Sequence, residues 1–213
     1  MLFTKKSILN ESAKKMANHH LFVCGIKNVD RYGYSEKHRE NNPSHFWLMN
    51  YMARKFIKEY NIKGLDLLKV LDLIDAHDFG EYGMASDFVS LDTMKSKCLA
   101  AYKDRLEREI IQEVAHYSGR GEFEDLWWEY HEQKTQEAKF VKALDKIEAI
   151  VHLLSRGFEK YNVEQQIEYI EIQTKKIEAF PQLLPVWNEL KKRAKEQLTE
   201  IKNQIKFCDE LPR

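Results

Sequence analysis

Four side chains combine the donor types of a metal centre with positions at the edge of apolar helix faces: His45, His77, Asp78 and Asp145. Two imidazoles and two carboxylates make a mixed nitrogen and oxygen set. Such a set suits a borderline or hard divalent ion, whether Mn, Co, Mg, Fe, Ni or Zn, whereas a thiolate-rich site would select other metals. His77 and Asp78 are neighbours, and neighbours on a regular helix diverge by about 100 degrees. Both reach one ion only at a helix end, and Gly80 supplies such an end. A His-Asp pair alone decides nothing in a chain with 8 His. The weight lies in donors that come from three separate helices.

Those donors need elements to carry them. Asn41 and Asn42 ahead of Pro43 read as a capped helix start, with His45, Met49, Met52 and Phe56 following at three- and four-residue spacing towards an end near Asn61. A second helix carries Leu67, Val70, Leu71 and Ile74 on one face and runs on into His77 and Asp78 before Gly80. Glu81 to Asp92 reads as an irregular loop that walls the site. Helices are then predicted over Thr93–Tyr117, Glu122–His131 and Thr135–Phe158. Phe140, Leu144, Ile147, Val151 and Leu154 form the core stripe of the last of these. A second line, Val141, Asp145, Glu148 and His152, places Asp145 at the border of the buried face, with Lys139, Lys142 and Lys146 pointing elsewhere. Trp127, Trp128 and Tyr130 read as core aromatics. Two more helices, about Glu164–Phe180 and Leu184–Phe207, are expected to cover the core.

Composition narrows the classes. The 213 residues hold only 8 Gly and 4 Pro, too few turn formers for a many-stranded barrel or sandwich, so the expected class is all-α. With 34 Lys plus Arg against 34 Asp plus Glu there is no bulk field for nucleic acid or an anionic membrane. Cys24, Cys98 and Cys208 are odd in number and unpaired in pattern, which points to a reducing, cytoplasmic compartment. No apolar run reaches the length of a membrane span or a signal core.

Ordered blocks along the chain carry a resemblance. Arg31-Tyr32-Gly33-Tyr34, then Glu40 to His45, His77-Asp78-Phe79-Gly80-Glu81, Asp87, Glu129-Tyr130, and finally Glu137 to Glu148 with its Leu-Asp-Lys-Ile-Glu ending resemble the HD-domain metal-dependent phosphohydrolases. Within them the chain looks most like the bacterial 5'-deoxynucleotidases and their eukaryotic HD-domain-containing relatives. The resemblance implies an HD helical bundle over residues 1–161, with residues 162–213 as a helical extension packed on it. It implies one divalent metal held by His45, His77, Asp78 and Asp145. Glu81 and Asp87 match the catalytic carboxylates, Arg31 the arginine on the substrate phosphate, and Lys95 a further basic phosphate contact. Relatives are often dimeric, and a homodimer is expected here on that ground.

The chemistry implied is hydrolysis of a nucleotide phosphate ester, foremost removal of the 5'-phosphate of deoxynucleoside monophosphates. A guanidinium suits phosphate because it stays charged and donates parallel hydrogen bonds. The sequence departs from the family pattern at Pro43-Ser44-His45 and Ser86-Asp87-Phe88. Nucleoside triphosphate or other small phosphate ester hydrolysis stays open as an alternative, as does a catalytically silent nucleotide-binding protein.

Overall fold

The computed structural model describes residues 13–14, 16–17, 20–21, 24, 41–81, 95–118, 121–156 and 162–209. The fold is all-α: among the described residues every extended element is a helix. Arg31, Asp87 and most of the predicted site-wall loop lie outside the described residues.

Helix α1 spans Asn42–Glu59. It starts where the Asn41 side chain accepts from the Ser44 amide at 3.0 Å and from the Ser44 hydroxyl at 2.7 Å, satisfying donors that the first turn leaves open. Pro43 presets the first turn. The helix buries His45, Met49 and Met52 of the stripe read in the sequence, together with Phe46 and Ala53, while Phe56 at the end of that stripe is half-buried. It ends as Asn61 takes φ 47°, a left-handed conformation that asparagine tolerates.

Helix α2, Leu67–Ala76, is capped by Asp66, whose carboxylate accepts from the Leu68 and Lys69 amides at 2.9 and 3.3 Å. Val70, Leu73 and Ile74 face the core. The α-helical turns stop at Ala76, short of Gly80, and the chain tightens through His77 and Asp78 into a 3-10 turn, Phe79–Glu81. Gly80 lies against helix α3, Lys97–Ser118: a Cβ there would stand 2.8 Å from Glu107 Cβ. The helix end that lets adjacent His77 and Asp78 face one point is therefore set by a close approach that only glycine permits.

Helix α4, Glu122–Glu132, leads to helix α5, Gln136–Arg156. Helix α5 is the centre of the fold, packed by α1, α2 and α4 and by the two helices that follow it. Its Phe140, Val141, Leu144, Ile147 and Ile150 are fully buried, each worth about 1.5–3 kcal/mol of apolar transfer. Helix α6, Val163–Glu178, opens with a reciprocal capping box between Asn162 and Gln165, and a short 3-10 turn leads into helix α7, Leu184–Asp209. Phe180 meets the Phe140 ring at 5.1 Å, and buried Trp187 donates from Nε1 to Thr174 Oγ1 at 3.0 Å. One apolar core thus runs from Phe46 to Leu198.

Candidate metal centre

Helix α1 presents His45, the α2 end presents His77 and Asp78, and helix α5 presents Asp145. The fold brings the four together. His45 Nε2 lies 3.7 Å from Asp145 Oδ1 and 3.8 Å from Asp78 Oδ2. His77 Nε2 lies 3.2 Å from Asp78 Oδ2, and the two imidazole centroids are 5.4 Å apart. One donor atom each from His45, His77 and Asp145 fits within 4.8 Å of the others, and all three residues are buried.

The second ring nitrogens explain which atoms face inward. His45 Nδ1 is 2.6 Å from Glu148 Oε2, and His77 Nδ1 is 2.6 Å from the Ile74 carbonyl. Each Nδ1–H is spent on an acceptor, so in the neutral ring each Nε2 carries a lone pair. Both Nε2 atoms are buried and make no hydrogen bond within the described residues. Buried polar atoms without partners are costly. Here two of them converge with two carboxylates, and metal–ligand bonds of about 2.0–2.2 Å place ligand atoms about 3–4 Å from one another. The donor set and its spacing fit a divalent cation.

Cations surround the acidic centre. Lys146 Nζ stands 2.7 Å from Asp145 Oδ2, and the Tyr130 hydroxyl donates to the same oxygen at 3.1 Å. Burial favours the protonated form of Asp145, yet the ammonium groups of Lys146 and, after it, Lys142 hold its carboxyl far below the usual carboxylate range. Lys142 donates to the Tyr130 hydroxyl at 3.0 Å. Burial, then Lys146, lower the Lys142 ammonium to about 8. The sequence reading sent Lys142 and Lys146 away from the site; their long stems bend back along the helix to reach it instead. Tyr130 is buried as expected of a core aromatic, but its hydroxyl belongs to the Asp145 cluster.

Glu81 is buried beside this cluster. Lys103 from α3 bridges Glu81 Oε1 and Glu107 Oε1, both at 3.1 Å, and Asn42 Nδ2 lies 3.5 Å from Glu81 Oε2. Burial pushes the Glu107 carboxyl up, and Lys103 draws it back. His131 Nε2 lies 3.7 Å from Glu107 Oε2. Lys95 is placed differently: its half-exposed ammonium pairs with Glu168 of α6 at 2.6 Å. Glu148 was visible in the sequence as the residue three beyond Asp145 on the same line, but its partner on α1 was not. Lys103 and Glu107 carried no motif signal, and Asn42 read only as part of a helix start and of the block before His45, not as a partner of Glu81.

A family model described as HD domain matches residues 24–184. The chain belongs to the HD-domain family. A 5'-deoxynucleotidase, HDDC2 of Dictyostelium discoideum, is 30% identical to this HD-domain protein over 157 residues, 68% of this chain and 80% of the relative. The crystal structure of a predicted metal-dependent phosphohydrolase from Magnetospirillum magnetotacticum MS-1 matches the HD-domain chain with TM-score 0.68 and 19% identity, covering 91% of this chain and 96% of that one. The PH0347 protein of Pyrococcus horikoshii OT3 gives TM-score 0.65 at 22% identity, over 84% of this chain and 99% of its own. These likenesses agree with the helical fold. No helix among the described residues is long and apolar enough to cross a membrane.

Proposed function

We propose that this HD-domain protein is a metal-dependent phosphohydrolase that removes the 5'-phosphate of deoxynucleoside monophosphates, with His45, His77, Asp78 and Asp145 as ligands to one divalent ion. The observation that carries the reading is the pair of buried, inward-facing Nε2 lone pairs beside two carboxylates. The 5'-deoxynucleotidase relative at 30% identity supports the substrate class.

When bound, the ion supplies Lewis acidity to a phosphoryl oxygen and makes hydroxide accessible near neutral pH. The chain's own groups do the rest. In the hydrolysis, a bond forms from a water oxygen to phosphorus while that water gives up a proton, the bond from phosphorus to the ester oxygen breaks, and the ester oxygen takes up a proton. Glu81, three residues beyond Asp78 and paired as a carboxylate with Lys103, is the proposed group that accepts the water's proton and passes it to the leaving oxygen. Asp87 is proposed to orient the water, and Arg31 to bind phosphate.

Purified protein supplied with Mn or Co is expected to release inorganic phosphate from deoxynucleoside monophosphates. His45→Ala and Asp78→Ala are expected to abolish release. Full activity in either variant refutes the ligand assignment, and triphosphate release from a nucleoside triphosphate places the substrate in the other phosphohydrolase class.

A further inference from the structure

Asn42 sits in the first turn of helix α1 with no surface exposed to solvent. Capping does not explain it. The neighbouring Asn41 side chain is the one that accepts from the Ser44 amide and hydroxyl. The Asn42 amide turns inward instead, and its Nδ2 lies 3.5 Å from Glu81 Oε2, 39 residues along the chain. Its Oδ1 is buried with no hydrogen-bond partner among the described residues. Turning the amide over would set Oδ1 against a carboxylate oxygen, acceptor against acceptor, so Glu81 fixes which way it faces. A buried amide with one long contact and an idle acceptor costs stability, and an apolar side chain of similar volume would not. Asn42 therefore stabilises the fold less than a leucine in its place would.

Glu81 is gripped from two sides. Lys103 of α3 holds Oε1 at 3.1 Å, and Asn42 of α1 faces Oε2. One ammonium fixes one oxygen and leaves the carboxylate able to swing about that contact; a second donor on the other oxygen removes the swing. Because the amide is neutral, it does this without the extra positive charge that would oppose protonation of Glu81. We propose that Asn42 is a positioning residue for phosphate ester hydrolysis, orienting the Glu81 carboxylate for the proton it takes from water and passes to the leaving oxygen. The inference rests on the phosphohydrolase reading and on Glu81 as its proton carrier. Hydrogen bonds around a reacting group are often long before substrate binds and tighten afterwards, which suits a contact of 3.5 Å. The same helix thus delivers two parts of the site, His45 to the proposed metal and Asn42 to the proton carrier.

The test uses the full-length chain with Mn and a deoxynucleoside monophosphate, comparing the parent with Asn42→Leu, Asn42→Ala, Glu81→Gln and the double variant of Asn42→Leu with Glu81→Gln. Both Asn42 variants are expected to lower kcat about tenfold or more, with KM and Mn affinity within about twofold of the parent's. Asn42→Leu is expected to melt no lower than the parent. In the double variant, leucine is expected to cost less than about twofold beyond Glu81→Gln, because a clamp has no effect once its carboxylate is gone. A structural role would instead add its loss to that of Glu81→Gln. Parent-like kcat in Asn42→Leu overturns the proposal, and so do equal losses of kcat and Mn affinity or a failure of both Asn42 variants to fold. If Glu81→Gln keeps the parent's kcat, the proton carrier is another group and the proposal falls with it. A parent that releases no phosphate from any phosphate ester sinks the hydrolase reading and this proposal together, whereas an active parent with an unaffected Asn42→Leu sinks this proposal alone.

Discussion

Glu148 Oε2 and His45 Nδ1 stand 2.6 Å apart, and neither residue is exposed to solvent. A carboxylate on helix α5 thereby fixes the ring plane and tautomer of an imidazole on α1. Such outer partners raise the basicity of the ligating nitrogen and typically matter about 10–100-fold in metal affinity. Glu148→Gln keeps an acceptor for the Nδ1–H but removes the charge. Competition with a chromophoric chelator is expected to show Mn or Zn held about tenfold more weakly or worse. Affinity equal to the parent's would remove Glu148 from the centre.

Tyr130 joins two charges, donating to Asp145 and accepting from Lys142. Tyr130→Phe removes the bridging oxygen and leaves buried Asp145 and half-buried Lys142 each with one contact fewer. Hydrogen bonds to charged groups contribute about 1.5–3 kcal/mol, so urea denaturation should show a loss of that order with an unchanged slope. A loss below about 0.5 kcal/mol would show that neither charge depends on the phenol.

The imidazole of His131 is held down to about 3 by burial first and by the Lys142 charge second, with Asp78 opposing. The ordinary value is near 6.5, so between those two pH values the unfolded chain binds a proton that the folded chain refuses. Stability from this residue is complete above about 6.5 and declines as pH falls towards 3. Melting temperatures at pH 7 and pH 5 are expected to differ more for the parent than for His131→Asn. Equal differences would show that His131 is protonated in the fold.

Gly80 has no room for a side chain beneath α3. In Gly80→Ala the new methyl would meet Glu107 Cβ at 2.8 Å and its Cα at 3.1 Å, and backbone cannot swing aside. Overpacking of this kind costs about 1–3 kcal/mol. The variant should melt lower and bind metal more weakly, because the turn carrying Asp78 and Glu81 must move. Parent-like values for both would mean that the turn relaxes freely.

Helix identity and the four donors were legible because each sits beside a stripe with helical spacing, such as Phe140, Leu144 and Ile147 beside Asp145. The helix ends were less so. The stripe through Ile74 and His77 ran on towards Gly80, while the α-helix closes at Ala76, since the tightening comes from contact with Glu107, remote in sequence. Direction of long side chains was not legible either. Lys142 and Lys146 lie off the apolar line, yet flexible stems and the negative potential of the centre draw them in. Lys103 comes from a helix whose local pattern records only amphipathicity, so nothing near it in sequence marks its destination beside Glu81 and Glu107.

The Phe140–Phe180 contact and the buried indole of Trp187 have a consequence for dissecting the molecule. A polypeptide divided between Arg156 and Asn162 would not yield a working enzyme plus a dispensable tail. It would yield two complementary fragments, each with a bare apolar flank, that recover a native shape only when mixed.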